Sequence, residues 1–329
     1  MIRIAIDAMG GDFGPEPIIE GVIQALDQKS FLPILVGERE QIISFLPQYY
    51  LNKVEIVESF DVISMSDKAT EALKRKESSI FKAVELVRDG KADGIVSAGH
   101  SGATMTLATL RIGRLLGINK PALATVMPNK SILAKTLLLD VGAVTDCTAQ
   151  NLYEFAIMGE VYAQKVLGLR TPSVGLLSNG EEDSKGNALT KEAFKLMHDI
   201  PGFKGNVEGS DIFNGSVDVV VCDGYTGNIV LKASEGVVST VFDLMKRQIR
   251  KSIPAKFGAF LMKKKVFKKL KKRVDYAEYG GAPLLGVKGC AIISHGKSNA
   301  KAIKNAIFQA ITYSDSKVND AIELQLTKK

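Results

Sequence analysis

The stretch RIAIDAMGGDFGPEPIIEGVIQALDQK, residues 3–29, contains one full unit of the fold. Residues 3–8 are short, apolar and β-prone. A glycine-rich turn follows, and Pro15 then opens a helical pattern that runs to Lys29. The alternation continues outward from there. LPILVG (32–37) and VEIVES (54–59) read as strands, with a helix over EREQIISFL (38–46) between them. GIVSA (94–98), ALATVM (122–127), KTLLLDV (135–141), PSVGLLS (172–178) and VDVVVC (217–222) extend the strand set, and helical patterns cover 151–167 and 224–251. Apolar strands separated by helices predict an α/β fold with a mostly parallel sheet covered on both faces. No repeat or low-complexity linker interrupts the pattern, so the two halves are expected to share one architecture over 1–329.

Composition narrows the function classes. The 329 residues carry a formal net charge of +7, and the run KKKVFKKLKKR (263–273) alone holds eight cations, which leaves 7 − 8 = −1 for the rest. The basicity is local, and a general nucleic-acid-binding face is not implied. Cys147, Cys222 and Cys290 are far apart, and His100, His198 and His295 form no metal-ligand ladder, so neither a disulfide framework nor a metal site is expected. No long uncharged apolar run exists, and Asp7 interrupts the first apolar stretch, which predicts a cytoplasmic chain with at most peripheral membrane contact.

In parallel sheets ligands gather at the carboxyl ends of the strands. The glycines and polar residues cluster in turns that follow apparent strands or helices: DAMGGDFGP (7–15), SAGHSGAT (97–104), DVGAVTD (140–146), SNGEEDSKGN (178–187), CDGYTGN (222–228) and YGGAPLLGVKG (279–289). Glycine lets backbone approach a ligand and present N–H groups to an anion. Neither the dinucleotide fingerprint nor the P-loop motif is present. GHSGA (99–103) comes close to a nucleophile elbow, which would make Ser101 a nucleophile with a base such as His295. The simpler reading is a helix start that binds an anion through backbone N–H groups. Lys185 is the only cation inside its acidic loop, His295 sits at a turn, Cys222 reads as a small buried side chain and His198 as a helix-end histidine.

IAIDAMGGD, DVGAxxD, GLLSNGEEDSKGN, VDVVVCDGYTGNIVLK and YGGAPLLGVKGxxIISHGKSN occur in that order. Together they resemble the bacterial phosphate acyltransferase family, PlsX, over about residues 2–313. The resemblance implies a two-lobed α/β/α fold like that of the isocitrate and isopropylmalate dehydrogenases and of phosphotransacetylase, in a homodimer. It implies transfer of a fatty acyl chain from acyl carrier protein to inorganic phosphate, giving acyl phosphate for phospholipid synthesis, with no cofactor. A phosphotransacetylase-like enzyme using acyl-CoA and a Ser101 hydrolase or acyltransferase are the alternatives. Two positions depart from the family pattern, His100 and Val144, where asparagine is frequent. Phosphate attack on a thioester needs a held dianion and a stabilised oxyanion, not a covalent intermediate. Lys185 is the expected catalytic cation, and the resemblance points to the same residue and to Asn228 as a donor to the thioester oxygen. His295 is assigned to phosphate or the leaving thiolate, and Asp7, Gly10, Gly11, Ser101, Asp223 and Gly227 to the surrounding substrate site.

The basic run ends a longer segment, 252–274, expected to be a projecting amphipathic helix. Ile253, Phe257, Phe260, Leu261, Phe267, Leu270 and Val274 trace an apolar stripe, and Lys263, Lys264, Lys265 and Lys268 lie among the cations opposite. Phe and Leu facing Lys is the pattern of a helix in an anionic membrane surface. A basic surface also suits an acidic carrier protein. Packing of the stripe on the body or on a dimer mate is the alternative, and nucleic acid ranks last.

Overall fold

The computed structural model describes residues 1–131, 135–274 and 276–327. The first elements are β1 (Arg3–Asp7), α1 (Glu16–Leu26), β2 (Leu32–Gly37), α2 (Arg39–Phe45), β3 (Glu55–Glu58), α3 (Ser79–Arg88), β4 (Gly94–Ser97) and α4 (Ser101–Leu107). The middle comprises β5 (Ala122–Pro128), β6 (Lys135–Leu139), α5 (Ala149–Lys165), β7 (Val174–Leu177), α6 (Ala188–Met197), β8 (Phe203–Val207), α7 (Asp211–Asn214) and β9 (Val219–Val221). The chain continues through α8 (Gly224–Arg250), α9 (Ile253–Met262), α10 (Lys268–Val274), β10 (Ala282–Leu285), β11 (Cys290–Ile293), α11 (Ala300–Asp315) and α12 (Val318–Thr327).

Among the described residues the strands form one eleven-stranded sheet in the order β3-β2-β1-β4-β11-β10-β5-β6-β9-β7-β8. The expected mostly parallel sheet is present, in two parallel halves. β3, β2, β1, β4 and β11 run one way, β6, β9, β7 and β8 the other, and antiparallel pairings through β10 and β5 reverse the direction between them.

Alternation along each strand separates two covered faces. Ile4, Ile6, Leu35, Val96 and Ile292 join one core with Ile18, Ile19 and Val22 of α1 and Ile303 and Ile307 of α11. Ala5, Ile34, Val36, Ile95 and Ile293 face a second core with α3 and α4. In the other half, Leu137, Leu139, Val219 and Val221 meet α5, while Leu138 and Val220 meet Ile212 and Val217. Full burial of one such aliphatic side chain stabilises by about 1.5–3 kcal/mol, so both faces contribute. Gly21 lets α1 and α11 approach closely, because a Cβ there would lie 2.6 Å from that of Ile303.

Several elements differ from the pattern in the sequence. TMTLATLRIGRLL (104–116), which follows the GHSGA turn, reads as a helical stretch. Instead the chain passes from α4 into a π-helical turn over Ala108–Ile112 and stops at Gly113, whose φ of +90° suits glycine alone. Part of the expected turn 279–289 is β10, and β8 is a strand that the pattern does not announce. The 252–274 segment is helical but not one uniform helix, since a π-helical turn, Lys263–Phe267, joins α9 to α10. Most of its stripe is solvent-exposed, with Phe257 at 65%, Phe260 at 72% and Leu261 at 62%, while Phe267 is half-buried. The side chain of Val274, the last expected stripe member, lies outside the described residues. Among the described residues no helix is long and apolar enough to cross a membrane.

Candidate active site

The glycine turns assemble in two sets, each at the carboxyl edge of one parallel half. In the first, β1, β4 and β11 are adjacent, which brings together the turns after Asp7, Ser97 and Ile293. Asp7 is 2% exposed. Ser79 Oγ donates to its Oδ1 at 2.6 Å, and Ser97 Oγ donates to its Oδ2 at 2.8 Å. Burial raises the Asp7 pKa from the ordinary carboxylate value, against the lowering pull of these hydroxyls and of the Met9 and Gly10 N–H groups. A carboxylate enclosed in this way organises the turn through its donors. A Cβ on Gly10 would lie 2.6 Å from Asp7 Oδ2 and 2.7 Å from Gly99 N. Gly11 has φ +102°, and the next residue, Asp12, donates its N–H to Gly296 O at 2.8 Å.

His295 is exposed, and its Nδ1 accepts the Lys297 N–H at 3.0 Å. Ser101 is the half-buried first residue of α4. His100, the departure noted in the sequence, caps that helix: its Nδ1 accepts the Ala103 N–H at 3.1 Å.

In the second set β6, β9 and β7 are adjacent, so the loops 140–146, 222–228 and 178–187 emerge side by side. Asp140 is fully buried. Its Oδ1 accepts N–H groups of Leu123 at 2.9 Å, Gly142 at 3.1 Å and Ala143 at 3.0 Å, and its Oδ2 accepts that of Val144 at 2.6 Å. Burial raises its pKa despite these four donors. Val144, the second departure, acts here through its backbone, and its carbonyl accepts the Gly224 N–H at 2.8 Å.

Asp223 caps α8, taking the Thr226 N–H at 2.8 Å and its hydroxyl at 2.7 Å. Asn228 is exposed on the first turn of α8, its Cβ 3.8 Å from where Gly142 would carry one. Lys185 is exposed in the neighbouring loop, where its N–H donates to Glu182 O at 2.9 Å, and Asn206 Nδ2 ties the same carbonyl to β8 at 2.9 Å. Burial first, then the nearby Asp140 charge, pushes the Cys147 thiol up to about 11, and Cys222 lies well above the usual thiol range for the same first reason. Neither is an activated nucleophile.

Lys185 and Asn228 therefore share the second set, and His295, Ser101, Asp7, Gly10 and Gly11 share the first. The sheet register relates the sets. Ile293 pairs with Ala282, Leu284 with Leu123, and Ala124 with Leu139. Along the strand axis, the ends of β11 and β6 thus stand within about one residue step, roughly 3.3 Å, and lie three strand spacings, about 14 Å, apart across β10 and β5. Ala143 also packs against both cores that meet there. Two concavities of about 570 and 600 Å³ lie elsewhere, around Met1 and Phe31 and around Met1, Asp93 and Lys288 at the amino ends of the strands.

Sequence reasoning marked the turns but missed Asp140, Ser79 and Ser97 as their organisers. For Asp7 and Asp140 a signal was available, an acid that begins the turn directly after an apolar strand.

A family model described as "Fatty acid synthesis protein" matches residues 2–321. A protein named "Phosphate acyltransferase" from Sulfurovum sp. (strain NBC37-1) is 73% identical over 329 residues, covering 100% of both chains. One of the same name from Sulfurimonas denitrificans is 64% identical, covering 98% of this chain and 96% of its own. Among solved structures, a phosphotransacetylase from Streptococcus pyogenes has a TM-score of 0.65 at 18% identity, covering 95% of this chain and 94% of its own. A putative 4-hydroxythreonine-4-phosphate dehydrogenase from Salmonella typhimurium has a TM-score of 0.53 at 14% identity, covering 95% and 99%. At such identities the likeness is one of fold. The full-length relatives define an acyltransferase class. The chain belongs to the phosphate acyltransferase family, PlsX.

Proposed function

We propose that this chain transfers a fatty acyl group from acyl carrier protein to inorganic phosphate, releasing acyl phosphate for phospholipid synthesis. The observation that carries the reading is the pairing of an exposed lysine and an exposed amide, Lys185 and Asn228, on loops that leave the hydrogen-bonded strands β7 and β9. A phosphate oxygen attacks the thioester carbonyl carbon, the C–S bond breaks, and the carrier thiolate takes up a proton. Lys185 supplies a point charge to the phosphate or the oxyanion, and Asn228 Nδ2 donates to the thioester oxygen. His295 contacts phosphate or protonates the thiolate. Gly11 and Ser101 provide backbone at the rim, Gly10 and Gly227 allow the close approaches that shape it, and Asp7 and Asp223 hold the turns.

The basic segment locates the enzyme. Lys263, Lys264, Lys265 and Lys268 attract an acidic carrier and an anionic bilayer, and Phe257, Phe260, Leu261 and Phe267 enter the lipid boundary. The chain is then a cytoplasmic enzyme held peripherally at the membrane. Tyr225, Ile229, Val237, Val241 and Leu244 form an exposed stripe along α8 that suits pairing with a second copy.

The test incubates the purified protein with palmitoyl-acyl carrier protein and inorganic phosphate and traps product with hydroxylamine. Phosphate-dependent hydroxamate, lost in Lys185→Ala, supports the reading. Thioester loss without phosphate dependence would point to a Ser101 hydrolase, and preference for acyl-CoA to a phosphotransacetylase-like enzyme.

A further inference from the structure

Residues 59–78, between β3 and α3, cross the carboxyl edge of the first parallel half. At the near end, Ser59 N–H donates to Gly37 O at 3.0 Å and Ser79 N–H to Asp61 O at 2.9 Å. Arg75 braces this segment from within: it bonds both carboxylate oxygens of Asp61, donates to Asp67 Oδ2 at 2.7 Å and to Val62 O at 2.9 Å. The far end reaches past β2 and β1. Nε2 of His100, after β4, lies 3.0 Å from Asp67 O. Because His100 Nδ1 accepts from Ala103, the single ring proton sits on Nε2, and that nitrogen donates to Asp67. Ala69 Cβ stands 3.1 Å from where Gly102 would carry a Cβ, and Met65 Cε comes within 3.3 Å of the corresponding position on Gly296, beside His295. The segment is a strap fastened at both ends.

The strap and the turn it meets present apolar side chains to solvent: Phe60 is 75% exposed, Met65 54% and Phe13 61%. Phe13 follows Asp12, whose carboxylate approaches the same point on Gly296 as Met65. Exposed apolar side chains thus stand beside the His295 turn, at Met65 and in the turn of Phe13, and at the near end of the strap, at Phe60, while Arg75, Asp61 and Asp67 are paired with one another.

We infer that this strap seats the fatty acyl chain of the donor, and that His100 is a positioning residue that clasps it to the turn after β4. The inference rests on the proposed acyl transfer. An unbranched hydrocarbon needs an adaptable apolar surface leading away from the thioester, which the Met65 thioether and the Phe13 and Phe60 rings supply. His100 touches no substrate. It acts by holding Asp67 O, and through it Met65, in register with Gly296.

The decisive variant is His100→Asn. Asparagine retains an acceptor for the Ala103 N–H but is too short to reach Asp67 O. Steady-state kinetics are measured with palmitoyl and butyryl thioesters of the carrier protein. The kcat/KM ratio of long to short donor is expected to fall about tenfold, chiefly through the long donor's KM, with the melting temperature near wild type. Met65→Ser is expected to lower the same ratio. An unchanged ratio in His100→Asn, or equal losses with both donors, would overturn the assignment.

Hydrogen exchange over residues 59–67, with and without hexadecylphosphonate, tests the strap independently of turnover. Protection in the wild type that weakens in His100→Asn is expected, and no protection in the wild type sinks the strap as an acyl seat. If the wild type forms no acyl phosphate from either donor, the proposed function fails and the exchange result alone decides the strap.

Discussion

Gly227 lies so close to the backbone of Asp140 that a Cβ there would collide with the Asp140 carbonyl oxygen and stand 2.9 Å from its carbon. This approach seats the first turn of α8 on the end of β6 and sets Asn228 beside Gly142. The Asp140 carboxylate accepts four N–H groups, three of them from its own turn, and makes the seat rigid.

Gly227→Ala is accordingly expected to destabilise the protein by about 3 kcal/mol, at the upper end for overpacking, because the obstructing atom is backbone and cannot rotate away. Chemical denaturation measures the loss. A variant as stable as the wild type would show that α8 shifts freely against β6.

Asp7 governs a pH response. Its folded pKa is raised by burial, so its contribution to stability is fully present below the ordinary value of 3.8 and is lost as pH rises through the folded value. Asp140 acts in the same direction, and Asp61, lowered by its hydrogen bond to Arg75, acts in the opposite one. Asp7→Asn removes a group that favours the fold in acid. Between neutral pH and about pH 4, its melting temperature is expected to drop more steeply than that of the wild type, as followed by calorimetry. Parallel curves would refute the burial argument.

Lys185→Ala is expected to lower kcat by about 10²–10³-fold in the acyl phosphate assay, the range for removing one oxyanion-stabilising group. Lys185→Arg should recover little, because the guanidinium is a planar fork and not a compact charge. Asn228→Ala is expected to reduce kcat with a smaller change in the phosphate KM, which distinguishes a donor to the thioester from a phosphate ligand.

Replacing Lys263, Lys264 and Lys265 together by alanine is expected to weaken binding to vesicles containing anionic lipid by about a hundredfold, at roughly 1 kcal/mol for each lysine engaged. Binding to wholly zwitterionic vesicles should change little. If sedimentation shows equal losses on both, the charge does not act on lipid.

Much of this architecture was legible in the chain. Runs such as IAID and LLLD are apolar at every position before the terminal acid, and a strand buried on both faces requires that composition. The long α8 carries its own start signal in Asp223, and the glycines of 7–15 and 222–228 announced close backbone approaches. What the chain could not disclose were the partners. Asp7 is 72 residues from Ser79 and 90 from Ser97, and nothing in either local sequence encodes that meeting. The short β10 is masked by its flanking glycines, and its strand character comes from pairing with β11 and β5.

Local periodicity and turn chemistry act over a few residues. The order of amino acids therefore dictated most of the strands and helices, β8 and β10 excepted, and where the glycine turns lie and the positive charge is concentrated. Only folding in three dimensions sorted the turns into two sets, buried Asp7 and Asp140 as their organisers, and carried His100 across to Asp67. Those relations depend on sheet order and register, which are selected by packing over the whole chain.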